Sequence, residues 1–189
     1  MNKKIKKQDW LKIPNLLSYF RVLLIPFFVH SYLIAQDWNG HLIAAGILFL
    51  SGVTDAIDGI IARRFNQISD LGKLIDPVAD KLTQVAVAAV LIVNWPIMAY
   101  LLVLFIFKEF SLFIINLLLL KKGQVIDGAM WFGKIGTIVF YCCMFILVIS
   151  PSIDSTLLMV LILTTAFFQL AALVGYLSVF FNLYKEPNV

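Results

Sequence analysis

Four aspartates between residues 55 and 80 have the spacing of two helical faces: Asp55, Asp58, Asp76 and Asp80. Residues three or four positions apart lie on the same side of a helix, so each of the two pairs shares one face. The polar residues 64–70 lie between the pairs and allow the chain to turn. We therefore predict that two helices bring four carboxylates into one small volume.

Carboxylates this close together need compensation, because like charges repel and a bare carboxylate in hydrocarbon is costly. Either the acids share protons or they bind cations. Oxygen ligands favour Mg²⁺, Mn²⁺ or Ca²⁺ over zinc, and no His or Cys lies in residues 55–81. Acids at helix ends that simply face solvent would explain one aspartate better than four on two matched faces. We expect a divalent-cation site near one membrane surface.

The same acids belong to a longer pattern: Asp55-x2-Asp58-Gly59-x2-Ala62-Arg63-x8-Gly72-x3-Asp76-x3-Asp80. This pattern resembles the signature of the CDP-alcohol phosphatidyltransferases, with no position missing. Residues 13–28 also look like the first helix of the bacterial phosphatidylglycerophosphate synthases within that family. The resemblance implies an enzyme in which an alcohol displaces CMP from CDP-diacylglycerol and receives the phosphatidyl group.

The resemblance also assigns roles to the acids. Asp55, Asp58, Asp76 and Asp80 would together hold two Mg²⁺ or Mn²⁺ ions. Asp80 would in addition act as the general base that takes the proton of the acceptor hydroxyl. An aspartate is a weak base near neutral pH, so precise positioning of the reactants must supply much of the rate.

By the same resemblance, the CDP-lipid is bound by Asp58 and by four further residues: Gly59, Ala62, Arg63 and Gly72. Gly59 and Ala62 would form the floor for the cytidine ring, where a larger side chain would fill the pocket. Arg63 would bind the pyrophosphate, since a guanidinium matches phosphate geometry. The structural alternatives are close helix packing through small residues and a charge that only sets topology.

Four cations within or beside apolar segments exceed what a pyrophosphate needs: Arg21, Lys81, Lys108 and Lys134. A cation at bilayer depth is costly unless it is paired or faces water, although each could instead extend to the interface. Lys108 has Glu109 beside it, but neighbouring residues point about 100° apart on a helix, so we expect no simple pair.

We therefore predict a second anion site for a phosphorylated acceptor. The first-helix likeness favours sn-glycerol 3-phosphate, which would give phosphatidylglycerol phosphate. Inositol phosphate, or phosphatidylglycerol giving cardiolipin, remains an alternative acceptor. A divalent-cation transporter is the alternative of a different class, but the acids lie near one surface and no inverted repeat is evident.

Composition indicates an all-α, polytopic membrane protein. The chain has 189 residues, of which 61% are hydrophobic and only 14% charged, more apolar than soluble domains are. We predict a basic, interfacial amphipathic helix at residues 1–12 and a membrane domain at residues 13–185. Its six predicted spans are residues 15–35, 41–65, 71–93, 97–120, 129–149 and 156–184.

The loops predicted on one side of the membrane carry Lys and Arg, and those on the other side carry none. The positive-inside rule therefore places both termini and the acids in the cytoplasm, in a bacterial inner membrane. We expect no cleavable signal peptide, no nucleic-acid partner despite the net charge of +4, and no bridge between Cys142 and Cys143. The family resemblance implies a homodimer.

Overall fold

The computed structural model describes residues 10–65, 67, 69, 71–122 and 130–185, without the side chains of Lys73, Lys121 and Lys185. Within these ranges it contains six helices and no strand, which confirms the all-α prediction. The helices are α1 Ile13–Ile34, α2 Trp38–Arg64, α3 Gly72–Leu91, α4 Met98–Lys121, α5 Trp131–Ile149 and α6 Ser155–Lys185.

Five of these helices, all except α3, are long and apolar enough to cross a membrane. This finding supports a polytopic membrane protein. The 20-residue α3 carries four charged residues, Lys73, Asp76, Asp80 and Lys81. Its length is about what a bilayer requires, but its four charged residues make it less apolar than the other five helices. The sixth membrane span therefore stays a prediction.

Three helices, α1, α2 and α6, begin slightly earlier than predicted, and aspartates cap the last two. The Asp37 carboxylate accepts a hydrogen bond from the backbone N–H of Gly40 at 2.8 Å, so α2 starts at Trp38. The Asp154 carboxylate accepts one from the N–H of Thr156 at 2.9 Å, just before α6. Bonds from Thr156 hold the pKa of the Asp154 carboxyl below its usual range. An aspartate at the N-cap satisfies N–H groups that the first helical turn leaves unpaired.

The chain divides into two compact units, residues 1–91 with 148–151, and residues 92–147 with 152–189. In the first unit α1 packs against both α2 and α3. Small side chains allow this close approach, since Ala44, Ala45 and Ala79 are almost completely buried. Tyr32 of α1 packs edge-on against His41 of α2, with ring centroids 5.1 Å apart. The first unit therefore places the N-terminal helix directly beside the two acid-bearing helices.

In the second unit α4 packs against α6, and aromatic rings join α5 to its neighbours. Phe105 and Phe140 lie 5.8 Å apart between ring centroids, and Phe132 and Tyr176 lie 4.9 Å apart. Cys142 is exposed and Cys143 is buried, and both thiols are free, as predicted.

The predicted interfacial helix lies almost wholly outside the described residues. Of residues 1–12, the structure describes only the last three, in which Trp10 and Leu11 form a short turn before α1. The Trp10 ring is about half exposed and stacks on Tyr19 at 6.5 Å between centroids. The interfacial helix therefore stays a prediction.

Candidate active site

The four aspartates lie on α2 and α3 in the first unit, and they differ in exposure. The Asp55 side chain is 53% exposed, whereas the side chain of Asp58, one turn later, is 6% exposed. Asp76 and Asp80 on α3 are both half-buried. The cluster therefore has an open side at Asp55 and a closed side at Asp58.

Arg21 of α1 joins the two aspartates of α2. Its Nη1 atom lies 2.6 Å from Asp55 Oδ1, and its Nη2 atom forms an ion pair with Asp58 Oδ2. Arg21 is only 1% exposed. We predicted that Arg21 binds an acceptor phosphate, but in this structure its guanidinium pairs with Asp55 and Asp58.

Two further polar residues of α1 lie one turn apart on the same face as Arg21. Ser18 Oγ donates a hydrogen bond to Asp76 Oδ1, and Asn15 Nδ2 donates one to Ser69 Oγ at 3.0 Å. Asn15, Ser18 and Arg21, which we call the α1 polar stripe, are each at most 1% exposed. We predicted no role for Asn15 or Ser18 from the sequence. The spacing of three between these polar residues in an apolar helix does indicate a shared face.

Asp80, the predicted base, has two neighbours on its own helix. Gln84 Nε2 donates a hydrogen bond to Asp80 Oδ2 at 2.9 Å, and Lys81 Nζ lies 3.9 Å from the same oxygen. Gln84 is fully buried, so its amide fixes the orientation of the carboxylate. Lys81 remains 35% exposed, and a phosphate approaching from solvent can reach it.

The acids of the two helices act on one another electrostatically. The charges of Asp76 and Asp80 both interact with Asp55, and that of Asp76 also interacts with Asp58. Side chains of α1 contact acids of both helices, Arg21 at Asp55 and Asp58 of α2 and Ser18 at Asp76 of α3. The expected convergence of the two acid pairs stays a prediction.

The predicted CDP-lipid residues lie on both sides of these acids. The Arg63 side chain passes over Gly59, where a Cβ atom would lie 3.6 Å from the guanidinium nitrogens. Ala62 is half-buried on the same helix. Gly72, at the start of α3, is buried and donates its N–H to Ser69 Oγ at 2.9 Å. Gly59 and Arg63 thus lie in contact, whereas Gly72 is tied to the α1 polar stripe through Ser69.

Gly72→Ala should destabilise the protein, because the new Cβ atom would lie 2.5 Å from Asn15 Oδ1 and 3.0 Å from Ser69 Oγ. We expect the free energy of unfolding to fall by about 1–3 kcal/mol, as for other overpacked sites. Thermal unfolding in detergent measures the change. Gly46→Ala is the matched control, since no atom lies within 4 Å of its added Cβ. Equal melting temperatures for the two variants would contradict the role of Gly72 as a contact point.

Two of the predicted acceptor cations, Lys108 and Lys134, lie in the second unit. Lys134 is exposed near the start of α5. Lys108 is buried, and its Nζ atom lies 2.6 Å from both Gln169 Oε1 and Glu109 Oε1. We expected no simple pair between Lys108 and Glu109. They do form an ion pair, which Lys108 shares with Gln169, because two long side chains can curve towards each other despite the angle between their Cα–Cβ bonds.

Comparison with known families places these residues in context. A model of the CDP-alcohol phosphatidyltransferase family matches residues 11–181, which is most of the chain. This chain belongs to the CDP-alcohol phosphatidyltransferase family. The match includes the whole of α1 to α5 and all of α6 except its last four residues.

Individual relatives are similar to this chain over a shorter stretch. The CDP-diacylglycerol–glycerol-3-phosphate 3-phosphatidyltransferase of Pseudomonas fluorescens is 43% identical over 84 residues, which cover 44% of this chain and 42% of that protein. The protein of the same name from Escherichia coli strain K12 is 48% identical over 81 residues, or 42% and 43% of the two chains. The matches thus span less than half the length of each relative.

Phosphatidyltransferases of this family generally depend on divalent cations. The donor chemistry here fits such an ion, because all four side chains offer hard carboxylate oxygens. The four side chains do not form a preformed metal site. Among the described residues, no three acidic, imidazole or thiol side chains lie close enough together to bind a metal ion. Arg21, Ser18 and Gln84 instead engage oxygens of the four acids.

Proposed function

We propose that this protein transfers the phosphatidyl group of CDP-diacylglycerol to the hydroxyl group of sn-glycerol 3-phosphate. The products would be phosphatidylglycerol phosphate and CMP. The observation that carries this proposal is the complete signature from Asp55 to Asp80, in a chain of the phosphatidyltransferase family. The two helices that bear it both pack against α1, whose Arg21 and Ser18 contact their acids.

In this reaction the hydroxyl oxygen of the acceptor attacks the phosphorus atom that bears the diacylglycerol. The bond from that phosphorus to the oxygen bridging to CMP breaks, and CMP leaves. Asp80 takes the hydroxyl proton, and Gln84 keeps the Asp80 carboxylate oriented through the 2.9 Å hydrogen bond. Arg63, lying over Gly59, pairs with the pyrophosphate while Gly59 and Ala62 leave room for the cytidine ring.

Asp55, Asp58, Asp76 and Asp80 are the residues that would hold two Mg²⁺ or Mn²⁺ ions. When bound, such ions neutralise charge on the pyrophosphate oxygens and on the leaving phosphate. The exposed side of Asp55 gives the cluster an approach from solvent. The buried side at Asp58 keeps the other end of the site rigid.

The choice of glycerol 3-phosphate rests on charge and on the names of the relatives. Both relatives carry glycerol 3-phosphate in their names. Residues 13–28 also resemble the first helix of bacterial phosphatidylglycerophosphate synthases. Lys81, beside Asp80 and partly exposed, is the cation best placed in the first unit to pair with an acceptor phosphate. Lys134 and Lys108 are the further candidates, and Lys108 would have to exchange part of its pairing with Glu109.

We further propose that the enzyme lies in a bacterial inner membrane as a homodimer, with both termini and the acid cluster facing the cytoplasm. The apolar helices support membrane insertion. The basic loops support the orientation by the positive-inside rule. The dimer rests on the resemblance to the family.

A panel of acceptors tests this function. Purified protein with Mg²⁺ and CDP-diacylglycerol should release CMP with glycerol 3-phosphate, and much more slowly with inositol phosphate or phosphatidylglycerol. Excess EDTA should abolish release, and added Mg²⁺ should restore it, because the acids cannot neutralise the pyrophosphate by themselves. Preference for another acceptor would overturn the substrate assignment. Absence of CMP release with every acceptor, together with metal flux in vesicles, would overturn the enzyme assignment.

A further inference from the structure

Arg21 is a fully buried cation in a helix apolar enough to cross a membrane, and its position needs an explanation. Its guanidinium pairs with Asp55 and Asp58, the two acids that the proposed function assigns to metal binding. A buried arginine is stable only when carboxylates or other acceptors compensate its charge. The two acids likewise need a positive charge while no divalent cation is bound to them. Each side of this contact therefore meets the electrostatic need of the other.

We propose that Arg21 is a built-in counter-ion, which holds Asp55 and Asp58 in place before a divalent cation binds and which the cation must displace. This inference rests on the proposed function, since it concerns the same metal site. It makes Arg21 a positioning residue rather than a ligand of the acceptor phosphate.

The geometry permits such an exchange. The guanidinium meets one oxygen of each aspartate, and carboxylate oxygens are the ligands that hard divalent cations prefer. Arginine has five donor hydrogens, and Arg21 Nε is buried with no hydrogen-bond partner among the described residues. The guanidinium is therefore anchored by its two ion pairs rather than by a complete hydrogen-bond network. One guanidinium also cannot balance four carboxylates, so a divalent cation has a clear electrostatic advantage in the same volume.

The rest of the α1 polar stripe would keep the helix in place during the exchange. Asn15 bonds to Ser69 and Ser18 bonds to Asp76, and neither contact involves the acids of α2. The Asn15–Ser69 contact involves none of the four acids, so α1 keeps its contact with the segment before α3 when the Arg21 head group moves.

Mn²⁺ binding to the purified full-length protein tests the proposal, followed by electron paramagnetic resonance without any lipid substrate. Arg21→Gln should bind Mn²⁺ about 5-fold or more tightly than the unaltered protein, because the competing cation is gone. It should also melt at a lower temperature without metal and recover most of that loss with saturating Mn²⁺. Arg64→Gln, which removes an exposed arginine at the end of α2, is the matched control and should change neither value.

Arg21→Lys keeps a positive charge, but a lysine cannot pair with both carboxylates at once. This variant should therefore have an intermediate Mn²⁺ affinity. It replaces Arg21→Gln in the test if that variant does not fold. Unchanged or weaker Mn²⁺ binding by both Arg21 variants, with melting losses that Mn²⁺ does not repair, would make Arg21 a permanent structural pair and overturn the proposal. Absence of Mn²⁺ binding in the unaltered protein would remove the metal site itself, and this inference with it.

Discussion

Asp80→Asn is expected to lower the rate of CMP release by about 10²- to 10⁴-fold, the usual contribution of a general base. The amide has nearly the same shape as the carboxylate but cannot accept the hydroxyl proton. It also withdraws a negative charge from the proposed metal site. The measurement is CMP release from CDP-diacylglycerol with Mg²⁺ and saturating glycerol 3-phosphate, in the same detergent for both proteins.

The control for this prediction is Asp37→Asn, the same chemical change at the N-cap of α2. Asparagine caps a helix about as well as aspartate, so this variant should keep both stability and rate. The melting temperature of Asp80→Asn should also stay close to that of the unaltered protein, because Gln84 can still bond to an amide oxygen. If Asp80→Asn retained more than about a tenth of the rate, Asp80 would not be the base.

Glu109→Gln should cause the largest loss of stability expected in the second unit. It removes the anion that lies 2.6 Å from Lys108 Nζ, and the Lys108 side chain is only 8% exposed. Gln169 would remain as a neutral partner. We expect the free energy of unfolding to fall by about 2–3 kcal/mol, slightly less than for a fully buried pair, since the Glu109 side chain is 24% exposed. Denaturation in mixed detergent micelles measures this change.

The double variant Lys108→Met, Glu109→Gln should recover most of that stability, because replacing both members of a buried pair leaves no uncompensated charge. Lys134→Met, at an exposed lysine of α5, is the matched control and should melt normally. If Lys108 also binds the acceptor, the stable double variant should need more glycerol 3-phosphate to reach half its maximal rate. Full stability of Glu109→Gln alone would mean that the buried Lys108 does not need Glu109 as its counter-ion.

The helices, and the position of the four acids on two of them, could be predicted from the sequence because their signals are local. Apolar runs of about 20 residues and acids at a helical spacing need no knowledge of tertiary contacts. The starts of α2 and α6 were missed by one to three residues, because the capping roles of Asp37 and Asp154 went unused.

The partners of the acids were harder to predict, because they come from distant parts of the chain. Arg21 lies 37 residues from Asp58, and Ser18 lies 58 residues from Asp76. Nothing in the local spacing showed that α1 would present its polar side to the acids rather than to an acceptor. The pairing of Lys108 with Glu109 was excluded on helix geometry alone, although the length of both side chains allows it.

The charge of α3 has a consequence for how the protein enters the bilayer during synthesis. Each Asp or Lys at the centre of a nascent helix opposes its release from the translocon by about 2.5–3.5 kcal/mol. Because α3 bears Asp76 and Asp80 with two lysines, we expect it to leave the translocon late, after α1 and α2 are already in lipid. Ser18 of α1 can then receive Asp76 directly, so the N-terminal helix would assist the insertion of α3.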